Sequence, residues 1–182
     1  MAKQDRLFFI DAETDGLYGA ILSVAVIITD INCNELKRAY YGIRRTKLAA
    51  ANEWTRENVV PVLGEYTEFD SEPELLEAVW SLWEELDGSA YAIGDVIYPV
   101  EAGLFRKCIE LNPEDRYYKG PFPLLDISTV RYCKGLDPAG VGSAASADAL
   151  SESSERSKAR HNALYDVETM IREYKSLMEV GK

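Results

Sequence analysis

Histidine is almost missing from this chain: His161 is the single one among 182 residues. Cysteine is scarce as well, and Cys33, Cys108 and Cys133 are odd in number and widely separated. Thiols so placed offer no zinc-ligand spacing and no disulfide framework, so they are expected to be reduced and mostly to pack. No apolar run approaches the roughly 18 residues that span a bilayer. The start, Met1-Ala2-Lys3-Gln4-Asp5-Arg6, is not followed by the ordered apolar stretch and cleavage site of a secretory leader. A soluble, intracellular (cytoplasmic) protein with no membrane partner is the expectation. Positive charge is in deficit too, with a net charge of −11. A general nucleic-acid coat protein needs a basic stripe, so that class is excluded. An enzyme that grips a few phosphates through bound cations is not, because such a site gathers acids and the ion reverses the local sign.

What is present suits one domain. A length of 182 residues, 47% of them apolar, allows a real core but is short for two. Leu7-Phe8-Phe9-Ile10 reads as a buried strand that delivers Asp11 and Glu13. Side chains at i and i+2 of an extended chain share a side, so these two carboxylates aim at one point. Converging carboxylates repel each other and are costly to desolvate, and a divalent cation removes both problems. Asp15-Gly16 then turns the chain.

Ala20–Thr29 and Leu36–Ile43 read as further strands, joined by Asp30-Ile31-Asn32 into an antiparallel meander. The Arg44-Arg45-Thr46-Lys47 cluster is either a solvated strand exit or a phosphate contact. Residues 48–60 are expected to be helical. Ser71 and Glu74 have capping-box spacing with Pro73 in the first turn, and an apolar helical period then runs to Leu86. Trp80 and Trp83 lie on that stripe, which predicts core packing rather than a base-stacking platform. Ser89–Gly94 is a short strand ending on Asp95, and Pro99 opens a helix over 100–111. Leu124-Leu125-Asp126 is a strand or a helix start, with a helix over 127–134. Residues 135–160 are small and polar, which predicts a flexible loop. The last helix is expected over 161–182, with Asp166 near its start. The whole is a mixed-sheet α/β pattern flanked by helices.

Taken singly, Asp95 is an ordinary strand-ending acid and Asp166 an acid favoured by the helix dipole. Taken together, Asp11, Glu13, Asp95 and Asp166 can meet where two strand ends pass under a crossing helix, with His161 beside them. Hard oxygen donors without thiols suit Mg²⁺ or Mn²⁺ rather than Zn²⁺. Four carboxylates fit a pair of ions about 4 Å apart, as in two-metal phosphoryl transfer.

Those residues carry a resemblance. The stretch FFIDAETDGL resembles the first motif of the DnaQ-like 3′→5′ exonucleases, in the branch marked by three aspartates, one glutamate and a histidine. The stretch HNALYD, His161 to Asp166, matches that branch's last motif. The middle motif departs from it: an Asn and an aromatic residue commonly precede the aspartate, where this chain has Tyr91-Ala92-Ile93-Gly94-Asp95. Glu101 is the nearest substitute ligand. The resemblance implies a ribonuclease-H-like fold and removal of nucleoside 5′-monophosphates from the 3′ end of single-stranded DNA or RNA. It implies that Asp11, Glu13, Asp95 and Asp166 hold two divalent cations, Mg²⁺ or Mn²⁺. It makes His161 the general base, a role suited to a group whose ordinary pKa is about 6.5. Thr14, Gly16 and Leu17 would lie against the terminal nucleotide, the leucine beside a base. The loop before His161 is then either a gate for the base or a tolerated surface insertion. A homodimer is one assembly open to small stand-alone members, and the rival function is a catalytically inactive nucleic-acid- or protein-binding module on the same fold.

Overall fold

The computed structural model of the chain describes residues 4–140 and 161–179. Its centre is strand β1 (Arg6–Thr14), paired antiparallel to β2 (Ile21–Asp30), which pairs antiparallel to β3 (Glu35–Ile43). The expected meander is thus present. Three shorter strands extend it in parallel, β4 (Thr67–Phe69) beside β3, β5 (Ala90–Gly94) beside β1, and β6 (Leu124–Asp126) beside β5. The resulting six-stranded order is β4-β3-β2-β1-β5-β6. The strand ending at Asp95 is therefore the fifth, not the fourth, because a three-residue strand such as β4 shows no period in a sequence.

Alternation along β1 sorts its side chains between two cores. Phe8, Ile10 and Ala12 pack with Leu75, Val79 and Trp80 of α2 (Glu72–Glu84) and Leu104 of α3 (Val100–Leu111). Leu7 and Phe9 face the other way, onto Ala163, Val167 and Met170 of the last described helix, here α6 (Ala163–Glu179). Phe9 also meets Tyr174 edge to face, with ring centroids 5.4 Å apart. Full burial of a side chain such as Phe8 or Val79 stabilises by about 1.5–3 kcal/mol. The same alternation puts Asp11 and Glu13 on the α6 side of the sheet, and that parity positions the site.

Local chemistry sets the element ends. Ser71 accepts the Glu74 N–H at the start of α2, while the Glu74 carboxylate accepts the Asp70 N–H, 3.0 Å away. Trp80 and Trp83 are buried, as the stripe required. Residues 45–62, expected to be one helix from 48, break into a 3-10 turn (Arg45–Ala50), helix α1 (Glu53–Asn58) and a second 3-10 turn (Val60–Val62). Their inner side buries Leu48, Val59 and Leu63 against Leu22. Asp126 ends β6 and caps α5 (Ile127–Cys133) through the Ser128 N–H, so both readings of that stretch hold. A single turn, α4 (Pro113–Arg116), follows α3. Cys33 and Cys108 pack inside, as expected of most of the cysteines, and Cys133 is exposed because it stands at the outer end of α5. Most of the expected flexible loop, residues 141–160, lies outside the described residues, as do residues 180–182 of the expected last helix. Among the described residues no helix is long and apolar enough to cross a membrane.

Candidate active site

Strand β1 lifts Asp11 and Glu13 under the first turn of α6, where Asp166 hangs down from the opposite wall. One carboxylate oxygen from each of the three lies within 4.8 Å of the other two. Helix α6 starts there because Asn162 caps it. Its side-chain oxygen accepts the Tyr165 N–H at 3.1 Å, its amide donates to the Val62 carbonyl at 2.8 Å, and its own carbonyl accepts the Asp166 N–H at 3.0 Å. One residue earlier, His161 takes a left-handed backbone (φ +71°). Its Nδ1 stands 3.6 Å from Glu13 Oε2, too long for a hydrogen bond but close enough for an imidazolium to be stabilised by the carboxylate.

Glu101 lies beside these acids, outside their 4.8 Å group but near enough for its charge to act on Asp11. It sits in the first turn of α3, buried, and its Oε1 accepts the Ala12 N–H at 3.2 Å. Asp95 takes another path. Its carboxylate forms a two-point pair with the Arg131 guanidinium, at 2.5 and 2.7 Å. Arg131 is almost fully buried and grips Glu173 of α6 in the same two-point manner, at 2.7 Å for each bond. Glu173 is two turns beyond Asp166 on the same helix face. This bridge therefore ties the end of β5 to α6 and fixes how α6 lies over β1. Of the sequence-derived ligands, Asp11, Glu13 and Asp166 converge, whereas neither Asp95 nor Glu101 is within their 4.8 Å group, and Asp95 is engaged by a cation. A sequence cannot show that pairing, since Arg131 lies 36 residues away.

Burial and repulsion both penalise the charged acids. Burial first, then the charges of Glu101, Asp166, Glu13 and Asp95, hold Asp11 well above the usual carboxylate range. Burial, then Asp166, lifts Glu13 to about 7. Glu101 rises to about 8, chiefly through burial, although the N–H groups of Ala12 and of its own backbone oppose the shift. A cluster that retains protons near neutrality for want of a counter-charge is the donor set a divalent cation fits.

The linkage has a definite sign. Carboxyls raised in the fold keep protons that the unfolded chain gives up near pH 4.5. Their contribution to stability is intact below that pH and is lost as pH climbs through about 7 and 8. Asp70, lowered to about 2 by hydrogen bonds from Arg44 and Lys47, acts only in strong acid, outside this window. In chelator the melting temperature should therefore fall by about 5 °C between pH 5.5 and 8.5. Mn²⁺ should restore it at pH 8.5 and change it little at pH 5.5. A melting temperature in chelator that is level or rises over that range would contradict this account of the cluster.

Around the acids the turn after β1 is tightly held. Gly16 has φ +77° and open space where a Cβ would sit, and Leu17 beyond it is exposed. The Asp15 carboxylate accepts the Asn52 backbone N–H at 3.0 Å and is also bonded by the Asn52 side-chain amide. Asn52 in turn caps α1 by accepting the Thr55 N–H at 3.0 Å. Next on α1, Trp54 is exposed and meets the His161 ring edge to face at 5.4 Å. Trp54 carries no signal in the sequence, because one tryptophan on a six-residue helix makes no pattern. The basic cluster proves to be a bound strand exit. Arg44 pairs with Asp70, Lys47 donates to the Asp70 carbonyl, and Arg45 donates to the Gly64 carbonyl.

Neither a protein-family model nor a curated protein matches the sequence. Solved structures do match. The chain superposes on E. coli exonuclease I in a zinc-bound complex with single-stranded DNA with a TM-score of 0.62 and 17% identity. The match takes in 98% of this chain and 41% of that one. Exonuclease I from Methylocaldum szegediense gives a TM-score of 0.59 at 17% identity over 97% of this chain and 41% of its own. The chain thus spans about two fifths of the length of these proteins. At such identity the likeness is one of fold, and the fold is the ribonuclease-H-like mixed sheet of exonuclease I.

Proposed function

We propose that this chain is a metal-dependent 3′→5′ exonuclease that releases nucleoside 5′-monophosphates from single-stranded 3′ ends. The observation that carries this is the meeting of the Asp11, Glu13 and Asp166 carboxylates, far apart in sequence, beside the protein's lone imidazole. In this reading Asp11, Glu13 and Asp166 hold two divalent cations, Mg²⁺ or Mn²⁺, since no thiol joins the group. Glu101 takes the fourth place. It is buried against β1 and has no cation to satisfy it in the described contacts, whereas Asp95 is held by Arg131. Bound cations supply an acidified water and offset charge on the scissile phosphate.

The remaining chemistry falls to side chains. With Nδ1 turned toward Glu13, the imidazole of His161 takes the proton of the attacking water in this reading. Glu13 then stabilises the imidazolium that results. The exposed Leu17, at the turn formed by Thr14 and Gly16, offers an apolar edge to the last base. Among the solved structures of like fold, exonuclease I is bound to a dA16 oligonucleotide and to a dT13 oligonucleotide, which makes DNA the first substrate to try. A 5′-labelled oligonucleotide should shorten stepwise from its 3′ end in Mg²⁺ or Mn²⁺ and stay whole in chelator. Matched DNA and RNA strands decide the sugar preference. If neither strand shortens in any metal, the chain is a binding module and not a nuclease.

A further inference from the structure

His161 needs more support than its own backbone gives. A left-handed φ of +71° is unfavourable for a residue with a Cβ, and the Asn162 cap fixes the chain on its far side. On the near side stands Trp54. Its ring meets the imidazole at a centroid distance of 5.4 Å and an interplanar angle of 86°. Trp54 is itself held in place. Thr55, its neighbour, is fully buried, Asn52 caps the helix below it, and Asp15 binds both the backbone N–H and the side-chain amide of Asn52. Asp15 lies two residues beyond Glu13 on the turn that leaves β1. A continuous path thus runs from the strand that bears Asp11 and Glu13 through Asp15, Asn52 and Trp54 to the imidazole ring.

We propose that Trp54 is a positioning residue for His161, holding the imidazole beside Glu13 in the geometry for proton transfer. The proposal rests on the nuclease reading for its kinetic consequence, but its structural half can be measured without any substrate. With one histidine in the chain, the imidazole Cε1–H of untagged protein gives one ¹H–¹³C signal, and a ring 5.4 Å away must displace that signal from its random-coil position. Trp54→Leu should return the signal toward random coil, and Trp54→Phe should keep much of the displacement. In cleavage assays Trp54→Leu should lower kcat about 3- to 10-fold with KM little changed. Trp54→Phe should recover most of the rate. In a His161→Ala background Trp54→Leu should cost nothing further, because the group it positions is gone.

Two results would overturn the proposal. One is an imidazole signal unmoved by Trp54→Leu. The other is a loss confined to KM that persists in the His161→Ala background, which would make Trp54 a base-stacking contact. If the wild-type chain cleaves nothing, the nuclease reading fails, and the imidazole signal still reports whether Trp54 holds His161. Trp54 is more than half exposed, so the Leu variant is expected to fold, and Trp54→Phe gives a second test.

Discussion

Replacing Glu101 by Gln should lower kcat about 1000-fold, while Asp95→Asn should leave activity within about 10-fold of wild type. The two acids are only six residues apart, yet their surroundings differ in kind. Glu101 is buried among like charges and pushed up to about 8. Its amide analogue still accepts the Ala12 N–H but brings no charge to a cation. Metal-free Glu101→Gln should therefore be as stable as wild type or more so at pH 8, while metal-dependent cleavage is lost. Asp95 shows the reverse pattern. Its partner Arg131 is buried, so the Asn variant leaves part of a guanidinium unsatisfied. A fully buried pair broken on one side costs about 3–5 kcal/mol. Because the Asp95 side chain is 32% exposed, a smaller loss is expected. About 1–3 kcal/mol is reasonable, seen as a lower melting temperature. Should Asp95→Asn abolish cleavage without loss of stability, and Glu101→Gln leave cleavage intact, the fourth ligand is Asp95.

His161→Ala should reduce the single-turnover cleavage rate by about 100- to 10,000-fold at neutral pH, the range for removal of a positioned general base. The variant should bind Mn²⁺ as the wild type does, within about twofold, because none of its oxygen donors has been removed. Asn162, not His161, makes the cap and the Val62 bond, so α6 and Asp166 should stay in register. The two readouts separate a proton-transfer role from a structural one. A variant within about threefold of the wild-type rate would remove the imidazole from the chemistry. A parallel loss of Mn²⁺ affinity would make its role one of holding Glu13.

Much of this was legible in the chain because the relevant patterns are short-range. Alternation along Leu7–Glu13 settles which side of the sheet the first two acids face, and the spacing from His161 to Asp166 sets them at either end of one helix start. Ser71 and Glu74 declare α2 by capping chemistry that needs no tertiary partner. The middle of the site was less readable. Gly94 to Pro99 leaves the sheet through Val96 in a left-handed conformation (φ +52°), which a β-branched residue rarely adopts and no pattern announces. The Asp126 carboxylate holds that turn by accepting the N–H groups of Val96 and Ile97 at 3.1 and 3.3 Å. The turn swings Glu101 under β1 while Asp95 goes to Arg131. Both outcomes depend on groups some 30 residues downstream, beyond the reach of local propensity. Trp54 escaped for a similar reason, since its meaning comes from Asp15 and His161 rather than from its neighbours.

The most direct measurement is anomalous scattering from crystals grown with Mn²⁺ and a nucleoside 5′-monophosphate. Two peaks roughly 4 Å apart, enclosed by Asp11, Glu13, Glu101 and Asp166, with the nucleotide phosphate on them and His161 alongside, are the expected result. Manganese bound elsewhere, or a cluster that stays protonated and empty at pH 8 with millimolar Mn²⁺, would contradict it.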